Sequence, residues 1–123
     1  MSISEAEAVI MEVLWRQAPR SAEEILAEVG EQQGWQEGTV KSLLNRLLTK
    51  KAVKAERDGR RYLYSPKLSR EQYVSHTSKN VLDRLFEGRV APLVAHFAEQ
   101  RKLSKRDIAE LRKLLEELDD EQH

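Results

Sequence analysis

Apolar residues recur every three or four positions over residues 4–17, where Ala6, Val9, Ile10, Val13 and Leu14 fall on one helical face. Ser4 suits the N-cap, Glu5 and Glu7 suit the positive end of the helix dipole, and Ala18-Pro19 stops the run. Ser21 followed by Glu24 is a capping-box spacing. It opens a short second helix with Ile25, Leu26 and Val29 on one face, closed at Gly30. Gln32 to Gly38 reads as a polar turn. A third helix is predicted over residues 38–51, with the stripe Val40, Leu43, Leu44, Leu47 and Leu48. Its opposite face centres on Ser42, Asn45 and Thr49, flanked by Lys41 and Arg46, with Thr39 near its start and no acid among them.

The periodicity then shortens. Val53 to Arg57 and Arg60 to Ser65 are β-prone runs joined by Asp58-Gly59, a hairpin signal because the tight turn requires a positive φ. Pro66 ends the second strand, and Tyr62 is placed to touch a ligand lying along the hairpin. From Ser69, which is spaced from Gln72 as a capping box, the pattern is helical again, with Tyr73, Val74, Val81, Leu82, Leu85 and Phe86 on one face out to Gly88. A short helix with Pro92 in its first turn follows over Val90 to Phe97. Ser104 caps a last helix whose stripe is Ile108, Leu111, Leu114, Leu115 and Leu118, with residues 119–123 expected to fray.

Composition narrows the function classes. The 123 residues contain no cysteine, which excludes disulfides and thiolate chemistry and fits a reducing cytoplasm. No run approaches the ~20 apolar residues of a membrane span, and the N-terminus lacks the pattern of a signal peptide, so no membrane insertion is expected. The histidines are His76, His96 and His123, and no HExxH, phosphate loop or nucleophile elbow is present. His96 and Glu99 alone do not make a metal site. The expectation is no catalysis, no cofactor and no metal. Trp15 and Trp35 read as packing residues. The formal net charge is zero, yet residues 1–35 carry net −5, residues 36–67 net +6 and residues 68–123 net −1. An anionic partner would feel the positive window.

Three helices and a hairpin in that order form the winged helix-turn-helix plan, in which the third helix enters the major groove and the hairpin lies along the backbone. The expected architecture is mainly α. Residues 1–67 form the winged-helix DNA-binding domain and residues 68–123 a helical dimerisation region. Asn45 suits adenine, Arg46 and Lys41 suit guanine or phosphate, and Thr39 and Ser42 lie near the helix N-terminus. Lys50, Arg60 and Arg61 add phosphate contacts. Leu82, Leu85, Phe86, Leu93, Val94, Phe97, Ile108, Leu111, Leu114, Leu115 and Leu118 are the expected dimer interface, because apolar faces of this extent usually pair. Two readings stay open beside a DNA-binding dimer: a winged-helix adaptor that binds protein, and a repressor released by a small molecule.

Several segments carry a resemblance. Ile3 to Glu7, Val9 to Trp15, Trp35 with Gly38 to Leu47, Glu56 to Pro66, Leu82 to Gly88, and Leu103-Ser104 resemble the BlaI/MecI/CopY group of bacterial repressors, with the penicillinase repressors most similar. The resemblance implies a homodimer on a palindromic operator that blocks transcription of β-lactamase or related resistance genes. It also implies induction by proteolysis, triggered by a membrane sensor metalloprotease, at an Asn–Phe bond in the dimerisation region. The matching bond is His96–Phe97, where His stands in place of Asn. The cysteine-rich metal site of the copper-responsive branch has no counterpart, since there is no cysteine.

Overall fold

The computed structural model describes residues 2–121; Gln122 and His123, at the end expected to fray, lie outside the described residues. The elements are α1 (Glu5–Arg16), α2 (Ala22–Gln33), α3 (Glu37–Thr49), β1 (Val53–Asp58), β2 (Arg61–Pro66), α4 (Arg70–Leu85), α5 (Val90–Glu99) and α6 (Lys105–Glu121). The chain divides into two compact units, residues 1–75 and 76–123. The first is a winged helix: three helices and an antiparallel hairpin.

Local chemistry sets the helix starts. Ser4 caps α1 by accepting from the Glu7 amide, while the Glu7 carboxylate accepts from the Ser4 amide. Ser21 and Glu24 repeat this at α2, Ser69 and Gln72 at α4, and Ser104 and Asp107 at α6. Helix α6 continues to Glu121, so residues 119–121 are helical, not frayed.

Three boundaries in α2 and α3 differ from the sequence reading. Helix α2 does not close at Gly30 but runs to Gln33, with Gly34 as its left-handed cap at φ 70°. Gly30 is instead a packing position. A Cβ there would meet Leu26 Cδ1 at 2.5 Å and the Trp35 carbonyl oxygen at 3.4 Å. Its own carbonyl accepts from the Trp35 amide at 2.8 Å. Helix α3 starts at Glu37 and stops at Thr49, because Lys51 takes a left-handed conformation at φ 62° and turns the chain into β1.

The core of the first unit gathers Ile10, Met11, Val13 and Leu14 from α1, Ile25 and Val29 from α2, and Val40, Leu43, Leu44 and Leu47 from α3. Ala52, Val53 and Tyr64 close it from the hairpin side. Trp15 and Trp35 pack half-buried against it. The Trp15 indole N–H donates to the Leu68 carbonyl at 2.8 Å and its ring lies 5.5 Å from that of Tyr73. Arg70 meets Glu12 at 3.3 Å, so the start of α4 belongs to this unit.

Glu7, read from sequence as a dipole partner, is buried. Its Oε1 accepts from Lys50 Nζ at 2.6 Å, and the same ammonium donates to the Ser2 carbonyl at 2.7 Å. The pair ties the start of α1 to the end of α3. Burial works to raise the Glu7 carboxyl, but the hydrogen bonds from Lys50 and Ser4 outweigh it and hold the group below its ordinary value.

In the second unit no described residue is buried. Leu85, Val90, Phe97, Ile108, Leu114, Leu115 and Leu118 are exposed, and Leu82, Phe86, Leu93, Val94 and Leu111 are half-buried. Helices α5 and α6 enclose an open groove of about 290 Å³, walled by Leu93, Val94, Phe97, Leu103, Leu111 and Leu114.

Lys50→Met strands the buried Glu7 carboxylate, so a loss of about 1–3 kcal/mol is expected in urea denaturation at pH 7. The lowered Glu7 pKa gives stability that is complete above its unfolded value of about 4.3 and lost as pH falls through the folded value. Glu7→Gln should therefore flatten the acid limb of the stability curve below about pH 4.3.

Candidate nucleic-acid interface

With its inner stripe in the core, α3 turns Thr39, Lys41, Ser42, Asn45, Arg46 and Thr49 to solvent. All six are exposed on this one helix. The Thr49 hydroxyl donates to the Asn45 carbonyl at 3.0 Å, so it serves the helix itself. Arg46 has no ion-pair or hydrogen-bond partner for its side chain among the described residues, leaving its guanidinium available. The N-cap residue Gln36 makes no side-chain cap bond, in contrast to the capping boxes elsewhere.

The face is not free of acid. Because α3 begins one residue earlier than expected, Glu37 joins it, and its Oε1 lies 3.0 Å from Lys41 Nζ. The hydrogen bond and charge of Glu37 raise the Lys41 pKa. Lys50 does not join the face as a free cation, since its ammonium is held by Glu7 and Ser2. The sequence could not show this, because the partners are 43 and 48 residues away.

The hairpin pairs in the register Asp58↔Arg61 to Val53↔Pro66. Its two loop residues are therefore Gly59 and Arg60, one position later than the Asp58-Gly59 of the sequence reading, with the positive φ of 66° at Gly59. Arg60 stands exposed at the tip, without a side-chain partner among the described residues. Arg61 lies between two carboxylates, Glu24 at 3.6 Å and Asp58 at 3.5 Å. Bonds from Ser21, then the charges of Arg61 and Arg20, hold Glu24 below the ordinary carboxylate value. Tyr62 is exposed, whereas Tyr64 is buried, and burial pushes its phenol up.

The base of the hairpin is anchored by a bridge that the sequence did not reveal. Arg20 and Tyr64 exchange backbone hydrogen bonds, Arg20 N to Tyr64 O at 3.0 Å and Tyr64 N to Arg20 O at 2.8 Å. The linker between α1 and α2 thus adds a single antiparallel bridge to the two-stranded sheet. Arg20 also pairs with Glu28, which meets Arg16 at 3.2 Å. The arrangement presents an exposed row of donors and acceptors on α3 and, on the same unit, an exposed cationic hairpin tip. That is the chemistry of groove reading with phosphate anchoring.

His96 and Phe97 lie exposed near the C-terminal end of α5, which ends at Glu99. The His96 ring is 5.4 Å from that of Phe97 and 6.3 Å from that of Phe86. Among the described residues no cluster of three or more His, Cys, Asp or Glu could hold a metal.

Comparison with known proteins gives a consistent picture. The penicillinase repressor family model matches residues 3–117. The penicillinase repressor of Bacillus licheniformis is 31% identical over 94% of this chain and 90% of its own length. The methicillin resistance regulatory protein MecI of Staphylococcus aureus (strain N315) is 31% identical over 92% of each chain. The solution structure of the monomeric form of Bacillus licheniformis BlaI, in complex with the blaP half-operator, superposes with a TM-score of 0.52 at 29% identity, covering 59% of this chain and 89% of that one.

Arg46→Ala removes an exposed cation without a protein partner. Stability should stay within about 0.5 kcal/mol, while affinity for duplex DNA falls at least about tenfold in fluorescence anisotropy, given charge-assisted contacts of about 1.5–3 kcal/mol.

Proposed function

The chain belongs to the penicillinase repressor family, and on that premise we propose that it represses transcription as a homodimer, one winged helix on each half of a palindromic operator. The regulated genes are those of β-lactamase or related resistance functions. The observation that carries the reading is the exposed outer face of α3, in the same unit as the exposed hairpin tip, in a chain whose relative is seen on half an operator.

Residues 1–67 carry the DNA contacts. Thr39, Lys41, Ser42 and Asn45 supply specificity from the N-terminal and central turns of α3, where recognition helices meet base edges. Arg46, Arg60 and Arg61 supply affinity through phosphates, with Tyr62 against the backbone. Arg61 exchanges its carboxylate partners for phosphate on binding. Lys50 acts at one remove, by holding the end of α3 through Glu7.

Residues 68–123 carry dimerisation. A segment with no buried residue among those described has little core of its own, and the exposed row Ile108, Leu114, Leu115 and Leu118 on α6 fits a copy of itself. Burying a leucine of this kind contributes about 1.5–3 kcal/mol. Induction follows from cutting His96–Phe97, which severs α6 from the winged helix. A head without its partner loses the joint grip on two half-sites. The protease belongs to a membrane sensor pathway, and the repressor works in the cytoplasm. No helix among the described residues is long and apolar enough to cross a membrane.

The decisive experiment is an anisotropy titration of palindromic against random duplex at two salt concentrations. Two chains per palindrome, with affinity falling steeply as salt rises, is the expected result. Equal binding to both duplexes would sink the reading. Leu115→Glu combined with Leu118→Glu should convert a dimer into a monomer by light scattering and leave only weak half-site binding.

A further inference from the structure

Helix α3 carries an exposed row at every fourth position: Glu37, Lys41, Asn45 and Thr49. Neighbours in this row are about 6 Å apart along the helix axis. Thr49 is turned back to the Asn45 carbonyl, so the three leading side chains are the ones free to meet a ligand. They differ in kind. Glu37 only accepts, Lys41 only donates, and Asn45 does both.

A carboxylate at this place is unexpected for a surface that binds a polyanion. Glu37 occupies the first turn of α3, the end where a helix dipole would welcome phosphate and where no side chain caps the amides. Its charge repels a phosphate there. Yet it is not spent on stability, since an exposed i, i+4 pair is among the weakest of ion pairs. A carboxylate in a major groove has one good partner class, the exocyclic amino groups, and cytosine N4 is the usual one. Lysine in turn prefers the paired acceptors O6 and N7 of guanine. The Glu37 acceptor and the Lys41 donor lie 3.0 Å apart. The edge of a C·G pair offers an amino donor directly beside the guanine O6 acceptor, the complementary order.

We propose that Glu37 is a specificity-determining residue, which together with Lys41 reads one C·G pair in each half-site. The inference rests on the DNA-binding reading above. Glu37 accepts from cytosine N4 while Lys41 donates to guanine, so the ion pair is kept and widened on the base edge. Where a T·A pair replaces it, the carboxylate faces the thymine O4 acceptor in place of the cytosine amino donor and opposes the nearest phosphates. It therefore raises the preferred site and lowers all others.

The test starts with a duplex selected by the full-length wild-type protein from a random pool. Each base pair of one half-site is then replaced in turn, and anisotropy is read for wild type, Glu37→Ala and Glu37→Gln. In wild type, one C·G to T·A replacement should cost at least tenfold. In Glu37→Ala, that replacement should cost several-fold less than in wild type, the remainder being the preference of Lys41 for guanine, while the other positions keep their profile and random duplex binds several-fold tighter. Glu37→Gln removes the charge and adds a donor that can meet thymine O4, so it should weaken the C·G preference and bind random duplex more tightly than wild type. Identical base profiles for wild type and Glu37→Ala, with matching thermal melts, would overturn the proposal. Failure of the wild type to prefer any duplex would instead overturn the DNA-binding reading on which it stands.

Discussion

Burial of one stripe, Val40, Leu43, Leu44 and Leu47, is the constraint on which the rest of the first unit depends. Each of these side chains is worth about 1.5–3 kcal/mol in the core. Rotating α3 about its axis would bring several of them into water at once. The outward direction of Ser42, Asn45 and Arg46 is therefore fixed by what lies on the other side of the helix. The candidate DNA-binding face is a by-product of apolar packing, and its chemistry is free to vary only because it plays no part in that packing.

The elements that could be read from sequence are those whose causes are local. Ser4 with Glu7, Ser21 with Glu24, Ser69 with Gln72 and Ser104 with Asp107 each declare a helix start within four residues. The α3 stripe likewise identified its own outer face. What escaped was decided at a distance. Gly30 looks like a helix stop but is a point of close approach to Leu26 and Trp35. Glu7 looks like a surface acid until Lys50 arrives from the far end of α3. The strand character of Arg20 exists only because Tyr64 is opposite. Glu37 was missed because a one-residue error in a helix start added an acid to the face.

Charge tells a similar story at a larger scale. The chain concentrates its positive charge in residues 36–67 and negative charge in residues 1–35. Folding brings the two together in specific pairs. Glu7 takes Lys50 and Glu24 takes Arg61, while Glu37 takes Lys41 within α3. The cations that remain without a protein partner among the described residues include Arg46 and Arg60, one on the helix and one on the hairpin tip. A window with net +6 thus exposes a more selective pattern than its composition implies.

The backbone exchange between Arg20 and Tyr64 gives the hairpin a footing on the linker between α1 and α2. Without it, a two-stranded ribbon would be marginal by itself and would swing. With it, the spacing between ribbon and helix exists before any duplex arrives. Little conformational entropy is then lost on docking, so the cost of association is mainly translational and rotational. The encounter rate should be governed by collision and long-range charge, and residence time by how well the base edges match.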